Sequence, residues 1–129
     1  MRFGTLMSMG ALCAATILPT HVQALTVTRE ECEEGADFIR NAAHSRENGL
    51  SSERFLERLD DDLLLIRTVP LALRWFVRDA EDEALLRDAA SAVFSLPRPP
   101  SEHHQDFLAT CRTRVLAQSE SARPVAVLP

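Results

Sequence analysis

The stretch Ser51–Phe76, SSERFLERLDDDLLLIRTVPLALRWF, decides the fold class. Phe55, Leu56, Leu59, Leu63 and Ile66 recur at steps of three and four, so they share one face of a helix. Glu57, Arg58, Asp61 and Asp62 fall elsewhere around it. Ser51 is placed to cap this helix, its hydroxyl accepting from a first-turn amide. Leu50 and Phe55 have the spacing of a hydrophobic staple, and Arg58 can pair with Asp62 one turn on. Pro70 lacks an amide hydrogen and drives Val69 out of the α region, so the helix should end near Arg67. Pro70 also suits the first position of a further helix. Leu71, Leu73, Trp75, Phe76 and Val77 make that piece short and apolar on most sides, so it is expected to be buried or to dock a partner. The rest of the chain reads as elements that cover this stretch.

Upstream, Thr28-Arg29-Glu30-Glu31 has the Thr-x-x-Glu spacing of a capping box. A helix is expected from about Arg29 to Glu47, with Cys32, Ala36, Ile39 and Ala43 on one face and Phe38 and Ala42 beside them. Asn48-Gly49 should end it, since glycine tolerates the left-handed conformation that closes many helices. The short connection to Ser51 predicts that the first two helices are antiparallel neighbours. Downstream, Asp79 can cap a helix over Ala80 to Phe94, with Leu85, Leu86, Ala89, Ala90, Val93 and Phe94 as its stripe and Glu83–Arg87 as a surface pair. Leu96-Pro97-Arg98-Pro99-Pro100 must be extended. Ser101 can cap a last helix over Glu102 to Leu116 that turns Phe107, Leu108, Cys111 and Val115 inward. Acidic residues gather in first turns and arginines near last turns, which suits the helix dipoles and reads the acidic clusters as helix starts. No strand-like alternation and no repeat is present. The fold class is therefore all-α, a compact bundle of four to five short helices.

Residues 1–24 read as a signal peptide: Met1-Arg2, an apolar or small run from Phe3 to Pro19, then a cut after Ala24 with Val22 and Ala24 as the small residues. The run is too short to favour a permanent span, and Leu12 is bulky where lipid attachment at Cys13 needs a small residue. Residues 25–117 form the helical domain and 118–129 a disordered tail. The full chain has 14 basic and 19 acidic side chains, a net charge of −5 that becomes −6 when Arg2 leaves with the leader. That argues against a nucleic-acid partner, which needs a basic face. Every basic residue is arginine, read as the codon bias of a GC-rich genome. No tyrosine and one tryptophan leave few stacking side chains for sugars or bases. Cys32 and Cys111 remain after cleavage, both on predicted core faces. In an oxidising periplasmic or secreted setting they are expected to form a disulfide. Closing so long a loop stabilises by about 4.5 kcal/mol in the chain-entropy model. Neither cysteine lies in a Cys-x-x-Cys motif, which disfavours a redox-active pair or metal ligation.

Catalytic and cofactor residues are expected to be absent. His103-His104 with Glu102 and Asp106 is the one cluster that resembles metal ligands. Adjacent helical histidines diverge by about 100°, so only His103 with Asp106, joined by His44, could share an ion. A solvated first helical turn is the favoured reading of that cluster. Asp60-Asp61-Asp62 would fan out around a helix, and no glycine-bearing calcium loop accompanies them. No Ser-His-Asp or Cys-His arrangement can be argued. Arg74-Trp75-Phe76 is the segment singled out for partner binding, because Trp and Arg are over-represented where partners dock. The plainer reading is that Trp75 and Phe76 cap the core while Arg74 is solvated.

The order of features is early Cys32, Gly49-Leu50-Ser51 before Phe55, Arg74-Trp75-Phe76, Val93-Phe94, a proline-rich spacer, and Phe107-Leu108-Ala109-Thr110-Cys111. It resembles small uncharacterised exported two-cysteine helical proteins of Gram-negative bacteria, a resemblance that implies no activity and no functional residues. The expected role is a periplasmic interaction module that docks an unknown protein or an apolar ligand through the Pro70–Val77 segment. Stable membrane insertion after signal removal is not expected. In outline the chain is also similar to the small periplasmic acid chaperones, although those carry lysine and space their cysteines more closely. Protonating the carboxylates would take the mature chain from −6 to about +16, self-repelling and able to open the fold. A small enzyme is the third, least favoured reading.

Overall fold

In the computed structural model, which describes residues 26–123, the chain enters its first helix through a capping box. Thr28 Oγ1 accepts from the amide of Glu31, and Glu31 Oε2 accepts from the amide of Thr28 at 2.9 Å. The helix, α1, spans Arg29–Glu47. It ends in a pair of reversed bonds, from the Leu50 amide to Ser45 O and from the Gly49 amide to Arg46 O. That closure requires Gly49 at φ +89°, a conformation a side chain would resist. Ser51 then caps α2, Ser52–Thr68. After Pro70 the chain makes one 3-10 turn, Leu71–Leu73, and an irregular segment to Asp79, whose carboxylate caps α3, Ala80–Ser95. The prolines from Pro97 to Pro99 hold the next connection extended, and α4 spans Pro100–Ser121.

Long-range hydrogen bonds fix which helix ends meet. Arg46, near the end of α1, donates to Val93 O at 2.6 Å and Arg98 O at 2.9 Å, beside the end of α3. Arg67, near the end of α2, pairs with Glu83 in the first turn of α3. Arg114, late in α4, pairs with Asp79 and Asp82 there too. The four helices therefore run up, down, up and down, and no strand occurs among the described residues.

The core is organised around α1 rather than α2. Cys32, Gly35, Ala36, Ile39, Ala42 and Ala43 are buried on α1, against Leu59 and Leu63 alone on α2. α1 packs most extensively on α4 and next on α3, while α2 leans on α3. The first two helices are antiparallel, as expected, but they touch only slightly. They meet through Phe38 and Phe55, whose ring centroids are 5.9 Å apart. The physical reason is residue size: glycine and alanine give little apolar periodicity but let a neighbouring helix come close. At Gly35 an added Cβ would lie 2.7 Å from Phe107 Cε1 and 3.2 Å from Phe76 Cε2. Cys32 and Cys111, both buried, form the expected disulfide between α1 and α4, with Cα atoms 5.7 Å apart.

Three further expectations change. The Pro70 piece is not one short helix: Leu71–Leu73 form a single exposed 3-10 turn, while Phe76 and Val77 beyond it are buried. Ser101 does not cap the last helix: Pro99 is at the cap and Pro100 at the first position, where a missing amide hydrogen costs nothing. α4 also continues through Gln118 to Ser121, past the expected boundary at 117. The signal peptide assigned to 1–24 and the end of the assigned tail, 124–129, lie outside the described residues.

Candidate functional site

The segment after α2 is shaped by a need to satisfy orphaned carbonyls. Arg74 turns back and donates from Nε to Val69 O and from Nη2 to Arg67 O, each at 2.8 Å. Its guanidinium is thereby held against the end of α2, half-buried, and is not the solvated group expected. Two residues on, Phe76 adopts φ +51°, and the Val77 amide donates to Trp75 O across it. A bulky side chain rarely occupies that region, which costs on the order of 1–3 kcal/mol. The ring's surroundings hold it there. Phe76 is fully buried against Phe107, with centroids 5.5 Å apart.

The reversal at Phe76 separates two side chains that are adjacent in sequence. Phe76 goes into the core and cannot touch a partner, which corrects its place in the partner-binding set. Trp75 stays half-buried and lies over α1, where its Nε1 donates to Glu34 Oε2 at 2.6 Å. It continues a row of rings, with Phe38 at 6.1 Å and Phe76 at 5.7 Å. Phe55 joins that row to Phe94 at 5.4 Å. Below it, Glu31 Oε1 accepts from the Phe76 amide at 3.2 Å and from Arg78 Nη2 at 2.7 Å. Arg78 Nη1 donates in turn to Arg74 O. The segment is therefore rigidly tied on its inner side.

Its outer side is apolar. Leu64 and Leu65 on α2 are 57% and 66% exposed, and Leu71 and Leu73 on the 3-10 turn are 40% and 75% exposed. These four leucines are the candidate site; of the three residues expected from sequence, Phe76 is buried, Arg74 is bonded back to the end of α2 and Trp75 lies over α1. Leu64 and Leu65 carried a signal in the sequence. Leu63, Leu64 and Leu65 are consecutive, and a helix spreads three successive residues over more than half its circumference. With Leu63 buried, its two successors must turn away.

The histidines are not brought together. His103 is buried and hydrogen-bonds Leu96 O through Nε2 at 2.9 Å, so Nε2 carries the proton. His104 faces Asp37, and His44 faces Glu47. Asp106 pairs with Arg98 at 2.6 Å. Among the described residues no group of three or more His, Cys, Asp and Glu side chains is disposed to hold a metal ion. Burial holds the His103 imidazole below its ordinary pKa, against the opposing pull of Leu96 O. Burial likewise pushes the Asp82 carboxyl up, although the Arg78 amide and Arg114 draw it down. Asp82 Oδ1 lies 2.6 Å from Arg114 Nη1, an ion pair without hydrogen-bond alignment. Burial also acts upward on Asp79, but the Asp82 amide and Arg114 outweigh it and leave that carboxyl below its usual value.

No helix among the described residues is long and apolar enough to cross a membrane. Comparison with protein-family models, curated proteins and solved structures finds no match.

Proposed function

We propose that the protein is an exported helical interaction module that docks an apolar segment of another protein on the ledge of Leu64, Leu65, Leu71 and Leu73. The single observation that carries this is the exposure of those leucines beside a segment held rigid by Arg74, Glu31 and Arg78. Rigid apolar side chains lose little entropy on binding, which is what a docking surface needs. The disulfide fits an oxidising compartment, and a leader cut after Ala24 would deliver the chain to the periplasm or beyond. Site-specific photocross-linking from position 73 in periplasm tests the reading. With the cross-linker at 73, a discrete adduct should form when Leu64, Leu65 and Leu71 are native and vanish in the Leu65→Ser, Leu71→Ser double variant. An adduct pattern indifferent to those changes defeats the proposal.

A second reading, an acid-stress chaperone, draws support from His103, a buried neutral imidazole whose protonation disfavours the packed state. Its test is suppression of client aggregation by the purified protein at about pH 2–3, where carboxylates and histidines are charged positive or neutral. Failure to suppress aggregation there removes this reading and leaves the docking proposal standing.

A further inference from the structure

A second concavity lies on another part of the molecule, between α3 and α4. Leu85, Asp88, Ala89 and Ala92 line it from α3, on one face at helical spacing. His103, Asp106, Phe107 and Thr110 line it from α4 with the same spacing. The two helices present matched faces yet pack less closely on one another than either does on α1. The extended Leu96–Pro99 connection explains the gap. It is pinned by Arg46 at Arg98 O and by His103 at Leu96 O, and the prolines cannot fold into a tighter turn. The result is a cleft of about 280 Å³ with Ile39 of α1 in its lining. That is close to the lower end of the ~300–1,000 Å³ typical of small-molecule sites.

The lining is apolar below and charged at the rim. Arg98 pairs through Nη1 with Asp106, while its Nε is buried without a partner and so lies below the surface an entering molecule reaches. Thr110 Oγ1 donates to Asp106 O within its own helix. His103 spends its one N–H on Leu96 O and offers the cleft no further donor. Asp88 is exposed and makes no ion pair among the described residues. Asp88 is therefore an exposed, uncommitted acceptor at the rim, whose formal charge is one negative unit, from Asp88 and Asp106 against Arg98.

We infer that this cleft binds a small organic cation, an ammonium group on a short apolar body. The apolar body lies over Leu85, Ala89, Ala92 and Phe107, and the ammonium sits at the rim by Asp88. Asp106 is within the same lining and can share the cation when its bond to Arg98 loosens. An anion of the same size would meet Asp88 at a rim of net negative charge.

The test is a titration of the disulfide-bonded chain with hexylamine at neutral pH, followed by amide resonances. Hexanol and hexanoate serve as neutral and anionic counterparts of the same length. Hexylamine should shift residues 85–92 and 106–110 saturably and bind about two- to fivefold more tightly than hexanol, the range of one partly exposed ion pair. Asp88→Asn should remove that advantage and leave hexanol unaffected; because Asp88 is exposed, this variant keeps the fold. Ala92→Phe, which fills the cleft, should block both. Shifts confined to the Leu71–Leu73 ledge overturn the proposal. So does hexanoate equal to hexylamine, or an amine preference that survives Asp88→Asn.

Discussion

Glu31, in the first turn of α1, and Arg78, just before α3, meet at 2.7 Å across 47 residues of sequence. The same carboxylate oxygen takes the amide of Phe76, and the other closes the capping box with Thr28. One side chain thus starts a helix, fixes the left-handed turn at Phe76 and neutralises an arginine whose side chain is only 12% exposed. Glu31→Gln keeps the shape and removes the charge. Breaking fully buried pairs costs about 3–5 kcal/mol, so a loss of about 2–3 kcal/mol is expected here, read from urea unfolding. A loss within experimental error would show that the Phe76 turn stands without this node.

Gly35→Ala sets two effects against each other. Alanine in a helix interior is favoured over glycine by about 1 kcal/mol. The added methyl would meet two ring carbons of Phe107 at 2.7 and 3.0 Å, and that ring is buried and packed on Phe76. Overpacking of this kind costs about 1–3 kcal/mol. The net expectation is destabilisation, seen as a lower thermal midpoint. A rise in midpoint would mean that the α1–α4 interface relaxes more easily than its packing suggests.

The Cys32–Cys111 bridge closes a separation of 79 residues. Replacing both cysteines by serine is expected to lower stability by about 4.5 kcal/mol on the chain-entropy account, and somewhat more because two buried positions gain hydroxyls. Comparison of denaturant midpoints between the oxidised chain and the double variant measures this. A difference below about 1 kcal/mol contradicts the entropic account.

In the unfolded chain His103 takes up a proton near its ordinary value of 6.5, and in the folded chain burial delays uptake to lower pH. The unfolded state therefore holds more protons in that window, so stability falls as pH drops below about 6.5 towards the folded value. Asp82 acts in the opposite direction. Its raised folded pKa gives a contribution present at low pH and lost as pH rises through the folded value. His103→Gln, which retains a donor for Leu96 O, should flatten the slope of stability between about pH 7 and 5. A slope unchanged in that variant would assign the acid sensitivity to other groups.

Local chemistry makes much of this fold legible in the sequence. Thr28 with Glu31, Ser51 and Asp79 cap their helices as their types and spacings predict, because a cap depends on a few adjacent atoms. The disulfide was legible because both cysteines fall on apolar faces at helical spacing. What the pattern hid was set by tertiary contact. Gly35, Ala42 and Ala43 make α1 the centre of the bundle, and small residues add little to a hydropathic stripe. Trp75 and Phe76 could not be told apart in sequence, because the turn that separates them is held by Glu31 from 45 residues away. His103 and Asp106 drew notice as possible ligands. The structure places them on the wall of a cleft whose width depends on proline spacing and on Arg46, neither of which periodicity reports.

The all-arginine complement also gains a structural counterpart. Arg46 and Arg74 each reach two main-chain oxygens at once, and Arg78 reaches one together with a carboxylate. A forked, planar donor does this where a lysine ammonium offers a point charge on a looser stem. Arg46→Lys and Arg74→Lys should therefore each lower stability by about 1 kcal/mol despite conserving charge, the scale of one lost hydrogen bond. Equal midpoints for the lysine variants would return the arginine bias to genome composition alone.

The bridge between the first and last helices has one more result. A protease that severs the backbone anywhere between Cys32 and Cys111, at the outward-facing 3-10 turn for instance, leaves two fragments that cannot part. Such a clipped molecule would migrate as a single species on a gel run without reductant and fall into two bands once thiol is added. Damage at the apolar ledge therefore need not release either half of the bundle from the other.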